Sequence, residues 1–447
     1  MNSIGALRRR LDAGETTSRA LCDEALARID DPAGEGSRAF TEVYHEAARA
    51  AADAADAQRR AGAVASPLAG LPISIKDLFD VAGRTTRAGS VVLDGAPPAT
   101  ADAAIVARLR RAGAVIVGKT NMTEFAYSGL GINPHYGTPR APYDRATGRI
   151  PGGSSSGAAV SVTDGMAVVG IGTDTGGSVR IPAALCGLTG FKPTARRIPL
   201  AGAYPLSFTL DSIGPLTHSV ADCAIVDAIL AGETPRALEP RPVRGLRFLA
   251  PVNHVRVALD ETVASAFEAA LDALRGAGAL VDEIPLAAFE RLAALQGKLN
   301  ISAVEAYWWH RDLLAKDEAR YDVEIARRIH GGEGVSAADY LDLLRGRNAY
   351  IEAVEAESTG YDAMLWPTVA VVPPPIADLM ADSVLYARIN ALVLRNTSAV
   401  NMLDGCALSL PMAAGGAPAG LMIAGRRGED ALLLRIGAAV ETVLSGG

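Results

Sequence analysis

The sequence predicts an α/β fold, a single large domain spanning residues 1–447 with a central mixed, largely parallel β-sheet covered by helices on both faces. Three observations carry this. Short apolar runs rich in β-branched residues alternate with amphipathic helical stretches, the pattern of strands joined by helical crossovers. Hydrophobic residues make up 49% of the chain against 21% charged, ample for a core of this size. No fixed-period repeat breaks the chain into smaller units.

The elements follow in order. Thr17 or Ser18 can cap a helix whose Leu21, Cys22, Ala25, Leu26 and Ile29 form one apolar stripe, and Ala47 to Arg60 is a second, alanine-rich helix. The first sixty residues are therefore expected to be helical. Gly70 to Ile75 reads as a buried strand, Ala103 to Ala112 as a helix, and Ala114 to Val117 and Met166 to Ile171 as further strands. Three prolines and several charges between Glu233 and Arg244 mark an internal boundary, after which Asp260 to Gly276 is an amphipathic helix. Leu292 to Ser358 is helical almost throughout. Ala363 to Leu365, Ala407 to Leu410 and Gly420 to Ile423 are the last strands, and Asp430 to Leu444 is a closing helix.

Composition excludes several function classes. A net charge of -7, with no basic run interleaved with aromatics, argues against a nucleic-acid partner. No apolar run approaches the length that spans a bilayer, and no apolar stretch follows Arg8-Arg9-Arg10, so neither a membrane partner nor a secretory signal is expected and the location is expected to be cytoplasmic. Cys22, Cys186, Cys223 and Cys406 are widely spaced with no C-x-x-C pair, as expected of reduced, buried thiols.

The chemistry concentrates in two glycine turns that each carry serine. One is Gly152-Gly153-Ser154-Ser155-Ser156-Gly157 and the other is Asp174-Thr175-Gly176-Gly177-Ser178-Val179-Arg180. Upstream, Lys76 closes the apolar run Leu71-Pro72-Ile73-Ser74-Ile75. Ser178 is the candidate nucleophile, because the glycines before it let backbone N–H groups of Thr175, Gly176, Gly177 and Ser178 approach a ligand as an oxyanion hole requires. The six histidines stand in no recognisable relation to either turn, so the base must be sought elsewhere. Strand alternation puts Ser74 and Lys76 on one face, with Asp77 pointing away. A lysine buried near the sheet edge without a carboxylate loses hydration of its charged form, and its pKa falls toward the range a general base needs near neutrality.

The arrangement resembles the amidase signature family, whose glycine- and serine-rich segment corresponds here to Gly152 through about Pro193. The likeness is strong over Gly70 to Asp222, looser over Asn401 to Pro411 and Gly420 to Gly425, and weak from Gly232 to Gly360. It implies the amidase signature fold and a Ser-Ser-Lys triad: Lys76 takes a proton from Ser154, Ser154 takes one from Ser178, and an acyl-enzyme forms on Ser178. It further implies a cis peptide between Gly153 and Ser154, a holding role for Ser155, and bracing of the second turn by Asp174 and Arg180. Residues 70–222 are then the signature core. Residues 233–380 are a more variable helical region shaping the substrate pocket, to which Phe125, Tyr127, Gly129, Leu130 and Gly131 are assigned as well.

Two other motifs are set aside on physical grounds. Gly113 to Thr120 satisfies the phosphate-loop pattern G-x-x-x-x-G-K-T, but its middle is an apolar, mostly β-branched run that forms a strand, where a phosphate cradle needs a flexible turn. Gly153 to Gly157 satisfies the nucleophile elbow G-x-S-x-G, yet that mechanism needs a downstream histidine, and His310 and His330 lie in charged helical stretches expected to face solvent. The aromatic pair Trp308-Trp309 is expected to pack in the core.

The expected activity is hydrolysis of a small carboxamide to carboxylate and ammonia or amine, with no cofactor and no metal. The partner is a small-molecule amide, and a homodimer is compatible with the sequence. The alternative is the glutaminase (A) subunit of a tRNA-dependent amidotransferase. Those subunits usually carry glutamine after the motif's arginine, whereas Ile181 follows Arg180 here.

Overall fold

A computed structural model describes residues 3–297, 299–413 and 415–446. One sheet of eleven strands runs through them: β1 (Phe40–Val43), β2 (Pro72–Lys76), β3 (Val115–Thr120), β4 (Val169–Thr173), β5 (Thr189–Lys192), β6 (Ile213–Thr217), β7 (Arg247–Pro251), β8 (Leu280–Ile284), β9 (Ala363–Pro367), β10 (Cys406–Met412) and β11 (Ala419–Gly425). Their spatial order is β1-β3-β2-β4-β6-β5-β10-β11-β9-β7-β8. The sheet is mixed, as expected, but it is not largely parallel. Parallel pairing is confined to two flanks, β3-β2-β4 and β9-β7-β8. The centre, β4-β6-β5-β10-β11-β9, is antiparallel throughout. Hydrophobic periodicity reports which face of a strand is buried and carries no strand direction.

Each parallel flank follows from a helical crossover. Helix Ala104–Arg111 returns the chain from β2 to β3 and buries Ile105, Val106 and Leu109 in the same cluster as Ile73 and Ile75. Helix Glu261–Gly276, capped by the Asp260 carboxylate on Thr262 N at 2.9 Å, does the same between β7 and β8. The proline-rich stretch after helix Val220–Ala231 is a linker between strands of this one sheet.

Several expected elements are present within a few residues of their predicted limits: helices Ser18–Asp30, His45–Arg60 and Asp430–Leu444, and strands β2, β3, β4, β9, β10 and β11. The amino-terminal sixty residues also contain β1, which pairs antiparallel with β3. The phosphate-loop candidate is a strand: Lys119 and Thr120 lie in β3, and Lys119 Nζ donates to Thr85 O and Thr86 Oγ1 at 3.0 and 3.2 Å.

Two side-chain expectations are corrected. Trp308 and Trp309 are 55% and 42% exposed, both packed edge-on with Phe208. Their helix, Ile301–Asp317, turns Ala303, Ala306, His310 and Leu314 inward, and that spacing leaves the tryptophans outside. His310, expected at the surface, is therefore buried, its Nδ1 3.0 Å from Tyr321 Oη and its pKa pushed down to about 4 by burial. His330 is flanked by Glu318 and Glu333 at the surface. All four cysteines are buried and unpaired.

Candidate active site

The site forms where the carboxyl ends of β2 and β4 meet the two serine turns. β2 is buried along its whole length and lies inside the sheet between β3 and β4, so Lys76 is at a strand end and not at a sheet edge. Ser74 and Lys76 share a face, and Ser74 Oγ lies 2.8 Å from Ser161 Oγ on helix Ser156–Thr163, the helix that follows the first serine turn. That helix sets Ser154 over the end of β2. Lys76 Nζ donates to Ser154 Oγ at 2.7 Å and to Thr173 Oγ1 at 2.9 Å. The peptide between Gly153 and Ser154 is cis.

Lys76 is fully buried with hydroxyls as its hydrogen-bonding partners. Burial pulls its pKa down to about 7, with the carboxylates of Asp211 and Asp174 opposing from further away. Asp77 does point away: it faces Lys119 on the other side of the sheet, 3.4 Å from its Nζ. A lysine of this kind is part neutral at pH 7 and can take a proton from a hydroxyl it touches.

The second turn is held from below and behind. Asp174 accepts from Val179 N, Arg180 Nε and Arg180 Nη2 at 3.1, 3.0 and 2.8 Å. Arg180 also donates to Asn401 Oδ1 at 2.7 Å and Thr397 O at 3.0 Å. Burial would raise the Asp174 carboxyl, but the Arg180 guanidinium, Lys192 and the Asn401 amide outweigh it and hold the pKa at about 2. A permanently charged pair thus fixes the turn. Ser155 donates through Oγ to Thr173 O at 3.4 Å and through its amide to Ser178 O at 3.3 Å, which clamps the two turns together. Among the described residues these turns meet through that backbone contact, with no hydrogen bond between the Ser154 and Ser178 hydroxyls.

The amides flanking the second turn are occupied: Asp174 N donates to Ser212 O, and Val179 N to Asp174 Oδ2. Those of Thr175, Gly176, Gly177 and Ser178 take no acceptor among the described residues. Gly177 has φ +133°, and a Cβ there would collide with Thr397 Oγ1. Thr397 Oγ1 in turn donates to Gly176 O at 2.5 Å.

Ser178, Thr175 and Gly176 open onto a cavity of about 860 Å³. Its apolar wall includes Leu206, Leu210, Leu295, Leu299, Leu394 and Met402, of which Leu295 and Leu299 come from the stretch where the likeness was weak. Among the described residues no histidine lines it, and no three or more metal-ligating side chains cluster together. No helix is long and apolar enough to cross a membrane.

Of the residues assigned to the pocket from sequence, Tyr127 lines the cavity, together with Ala126 and Ser128. Phe125 lies behind it, packed on Tyr204, His310 and Tyr321. Gly129, Leu130 and Gly131 buttress the first serine turn instead. Gly129 O accepts from Gly153 N at 2.8 Å, a Cβ on Gly131 would collide with Gly152 O, and Leu130 packs on Ile181 and Leu185. Sequence reasoning missed Thr173, Asp211, Asn390, Thr397 and Asn401. Asp211 accepts from Thr175 Oγ1 at 2.5 Å, and Asn390 Oδ1 accepts from Ser128 Oγ and Gly129 N at 3.0 and 2.8 Å. Asn390, Thr397 and Asn401 form a polar stripe at helical spacing on helix Ser383–Leu403, a signal that could have found them.

Comparison with known proteins follows the same lines. The family model described as Amidase matches residues 21–434. The chain is 38% identical to the 2-amino-5-chloromuconic acid deaminase of Comamonas testosteroni, over 90% of this chain and 87% of that protein. It is 35% identical to the glutamyl-tRNA(Gln) amidotransferase (A) subunit of Roseiflexus sp. (strain RS-1), over 99% of this chain and 96% of the other. A crystal structure of an amidase superposes with a TM-score of 0.87 at 33% identity, covering 99% of this chain and all of that one.

Proposed function

The chain belongs to the amidase family, hydrolases of carbon–nitrogen bonds, and we propose that it hydrolyses a small carboxamide to carboxylate and ammonia or amine through an acyl-enzyme on Ser178. Lys76 is the base and Ser154 the proton bridge. The observation that carries this reading is the fully buried Lys76 amine on the Ser154 hydroxyl at 2.7 Å, at a pKa of about 7. As Ser178 Oγ attacks the carbonyl carbon, its proton passes to Ser154 and that of Ser154 to Lys76. This requires the two hydroxyls to close into a hydrogen bond in the substrate complex, a tightening common in active sites. The four acceptor-free amides from Thr175 to Ser178 can receive the carbonyl oxygen as it gains charge.

Collapse of the adduct breaks the C–N bond, and Lys76 returns the proton through Ser154 to the leaving nitrogen. Water then attacks the ester along the same relay, releasing the carboxylic acid and restoring the Ser178 hydroxyl. No cofactor is called for, and the enzyme is proposed to work in the cytoplasm. Ser155, Asp174 and Arg180 hold the turns in register for these steps.

A panel of amides assayed for ammonia release, with Ser178→Ala as the blank, tests the proposal. Release with at least one amide, abolished in Ser178→Ala along with any covalent serine adduct, supports it. A fully active Ser178→Ala protein refutes it. The likeness to an amidotransferase component favours a second reading, a glutaminase that passes ammonia to a partner, against which Ile181 stands. Glutamine hydrolysis that appears only with a co-purifying partner would put that reading first.

A further inference from the structure

Among the described residues Asn121, Asn133, Asn390, Asn396 and Asn401 are the buried asparagines. All but one donate through Nδ2 to the protein itself: Asn121 to Arg38 O and Gly137 O, Asn133 to Gly89 O and Met122 O, Asn396 to Val255 O and Pro367 O, and Asn401 to Asp174. Asn390 is the exception. It is 1% exposed, and only its Oδ1 takes a partner among the described residues. Its Nδ2 is not one of the partnerless polar atoms sealed inside the protein, so it opens onto the cavity before Ser178 that Asn390 lines.

The other end of that carboxamide fixes its orientation. Gly129 N, which can only donate, reaches Asn390 Oδ1 at 2.8 Å, and Ser128 Oγ donates to the same oxygen at 3.0 Å. Tyr386 Oη, one turn earlier on helix Ser383–Leu403, donates in turn to Ser128 Oγ at 3.0 Å. Oxygen and nitrogen of the carboxamide cannot exchange places, and the N–H bonds are left to the cavity. A buried donor without an acceptor is costly, and a ligand that supplies one removes the cost. Asn390, Ser128, Tyr386 and Gly129 form an uncharged network, which matches a neutral acceptor.

The helix also sets the distance of this donor from the chemistry. Asn390 lies one turn before Leu394, whose side chain a Cβ on Gly176 would meet at 3.3 Å. The donor thus stands about 6 Å along the helix from the level of the second serine turn. About four carbon–carbon bonds of about 1.5 Å each span that gap, and Leu206, Leu210 and Leu394 supply an apolar wall for them.

We propose that Asn390 is a specificity-determining residue whose Nδ2 donates to a carbonyl oxygen on the acyl chain of the substrate. The preferred substrates are then amides with a second, uncharged carbonyl, a ketone or a further carboxamide, about four bonds from the scissile one. The proposal rests on the amidase reading for its chemistry. Hydrolysis breaks the scissile C–N bond at Ser178, the second carbonyl takes no part in bond breaking, and the acid released retains it.

The experiment compares 5-oxohexanamide with hexanamide, which differ by a carbonyl in place of a methylene, on the wild-type enzyme, Asn390→Asp and Asn390→Ser, with thermal melting to confirm folding. Asn390→Asp keeps the acceptor for Gly129 N and Ser128 Oγ and puts an oxygen where the donor was. Asn390→Ser leaves a side chain too short to reach. The wild type is expected to prefer the ketone by about tenfold in kcat/KM, chiefly through KM, and both variants to lose that preference. A wild type without the preference overturns the proposal, as do variants that lose activity equally on the two amides, the mark of a purely structural role. Glutaramate, with a charged oxygen in place of the ketone's terminal methyl, tests the neutral class, and a wild-type kcat/KM on it above that on 5-oxohexanamide overturns that class. Binding of both amides to Ser178→Ala, with and without Asn390→Asp, reads the donor apart from catalysis. Tighter binding of the ketone that depends on Asn390, without turnover of any amide by the wild type, sinks the amidase reading and keeps the donor. Turnover that ignores the ketone sinks the donor alone.

Discussion

Two lysines on neighbouring strands, both fully buried, lie on opposite faces of the sheet. In the parallel register of β2 and β3, Ile75 pairs with Lys119 and Lys76 with Thr120, so Lys119 projects from the face opposite Lys76. On its face Lys119 meets the Asp77 carboxylate, Thr85 O and Thr86 Oγ1. On the other, Lys76 meets two hydroxyls. Burial lowers both pKa values, but at Lys119 the largest opposing influence is the adjoining Asp77, which keeps the amine charged. Asp77 is itself pushed up to about 6 by burial, with Lys119 opposing. Burial lowers an amine's pKa furthest where no adjoining carboxylate opposes it.

The largest expected effect comes from exchanging the two roles by mutation. Lys76→Met should lower kcat/KM for amide hydrolysis on the order of 100- to 10,000-fold, the range of a general base, while the folded protein loses no stability at pH 7. Lys119→Met should do the reverse. It leaves the buried Asp77 without its counter-charge and should cost about 3 kcal/mol of stability, seen as a lower denaturant midpoint, with turnover per folded molecule within about tenfold of wild type. If Lys119→Met were folded and inactive, the contrast between the faces would fail.

The second effect concerns the turn that the active face supports. Gly177→Ala places a Cβ against Thr397 Oγ1 at a φ of +133°, which L side chains rarely adopt, and should rotate the four free amides out of line. A fall in kcat of roughly 100- to 1,000-fold is expected, the cost of losing an oxyanion donor, with the Ser178 hydroxyl still present. Single-turnover kinetics should place the loss in acylation. A fall confined to KM would move the turn from transition-state stabilisation to substrate binding.

What was legible in the sequence follows the same division. Lys76, Ser154 and Ser178 stood out because they sit in local patterns, two glycine turns and an alternating strand end, that hold whatever the rest of the chain does. The face of Lys76, and Asp77 turning away from it, followed from alternation. Thr173 and Asp211 were invisible because contacts formed across long stretches of sequence give them their place: Thr173 Oγ1 meets Lys76 Nζ across 97 residues. Strands β5 and β6, Thr-Gly-Phe-Lys and Ile-Gly-Pro-Leu-Thr, are short and broken by glycine and proline, so their apolar pattern is too weak to read. Their antiparallel pairing at the centre of the sheet was lost with them. Trp308, Trp309 and His310 lie opposite to what their residue types suggest because the helical phase is fixed by Ala303, Ala306 and Leu314.

The smallest expected effect tests whether the hydroxyls around Lys76 tune it. With a native pKa of about 7, kcat/KM should fall tenfold for each pH unit below about 7 and level off above it, because only the neutral amine can accept the Ser154 proton. The unfolded lysine titrates near its ordinary value of 10.5. Between these values the unfolded chain binds the extra proton, so the Lys76 contribution to stability rises with pH across that window and is flat below it. Thr173 Oγ1 accepts from the amine at 2.9 Å, and an ammonium, which can only donate, depends on that acceptor more than a neutral amine does. Thr173→Val should therefore move the acid limb of the rate profile to lower pH. It should also lower the plateau about fivefold, the rate equivalent of one ordinary hydrogen bond of about 1 kcal/mol. A limb that stayed in place would show that burial alone sets the base, and a limb displaced to higher pH would mean that Thr173 favours the neutral amine.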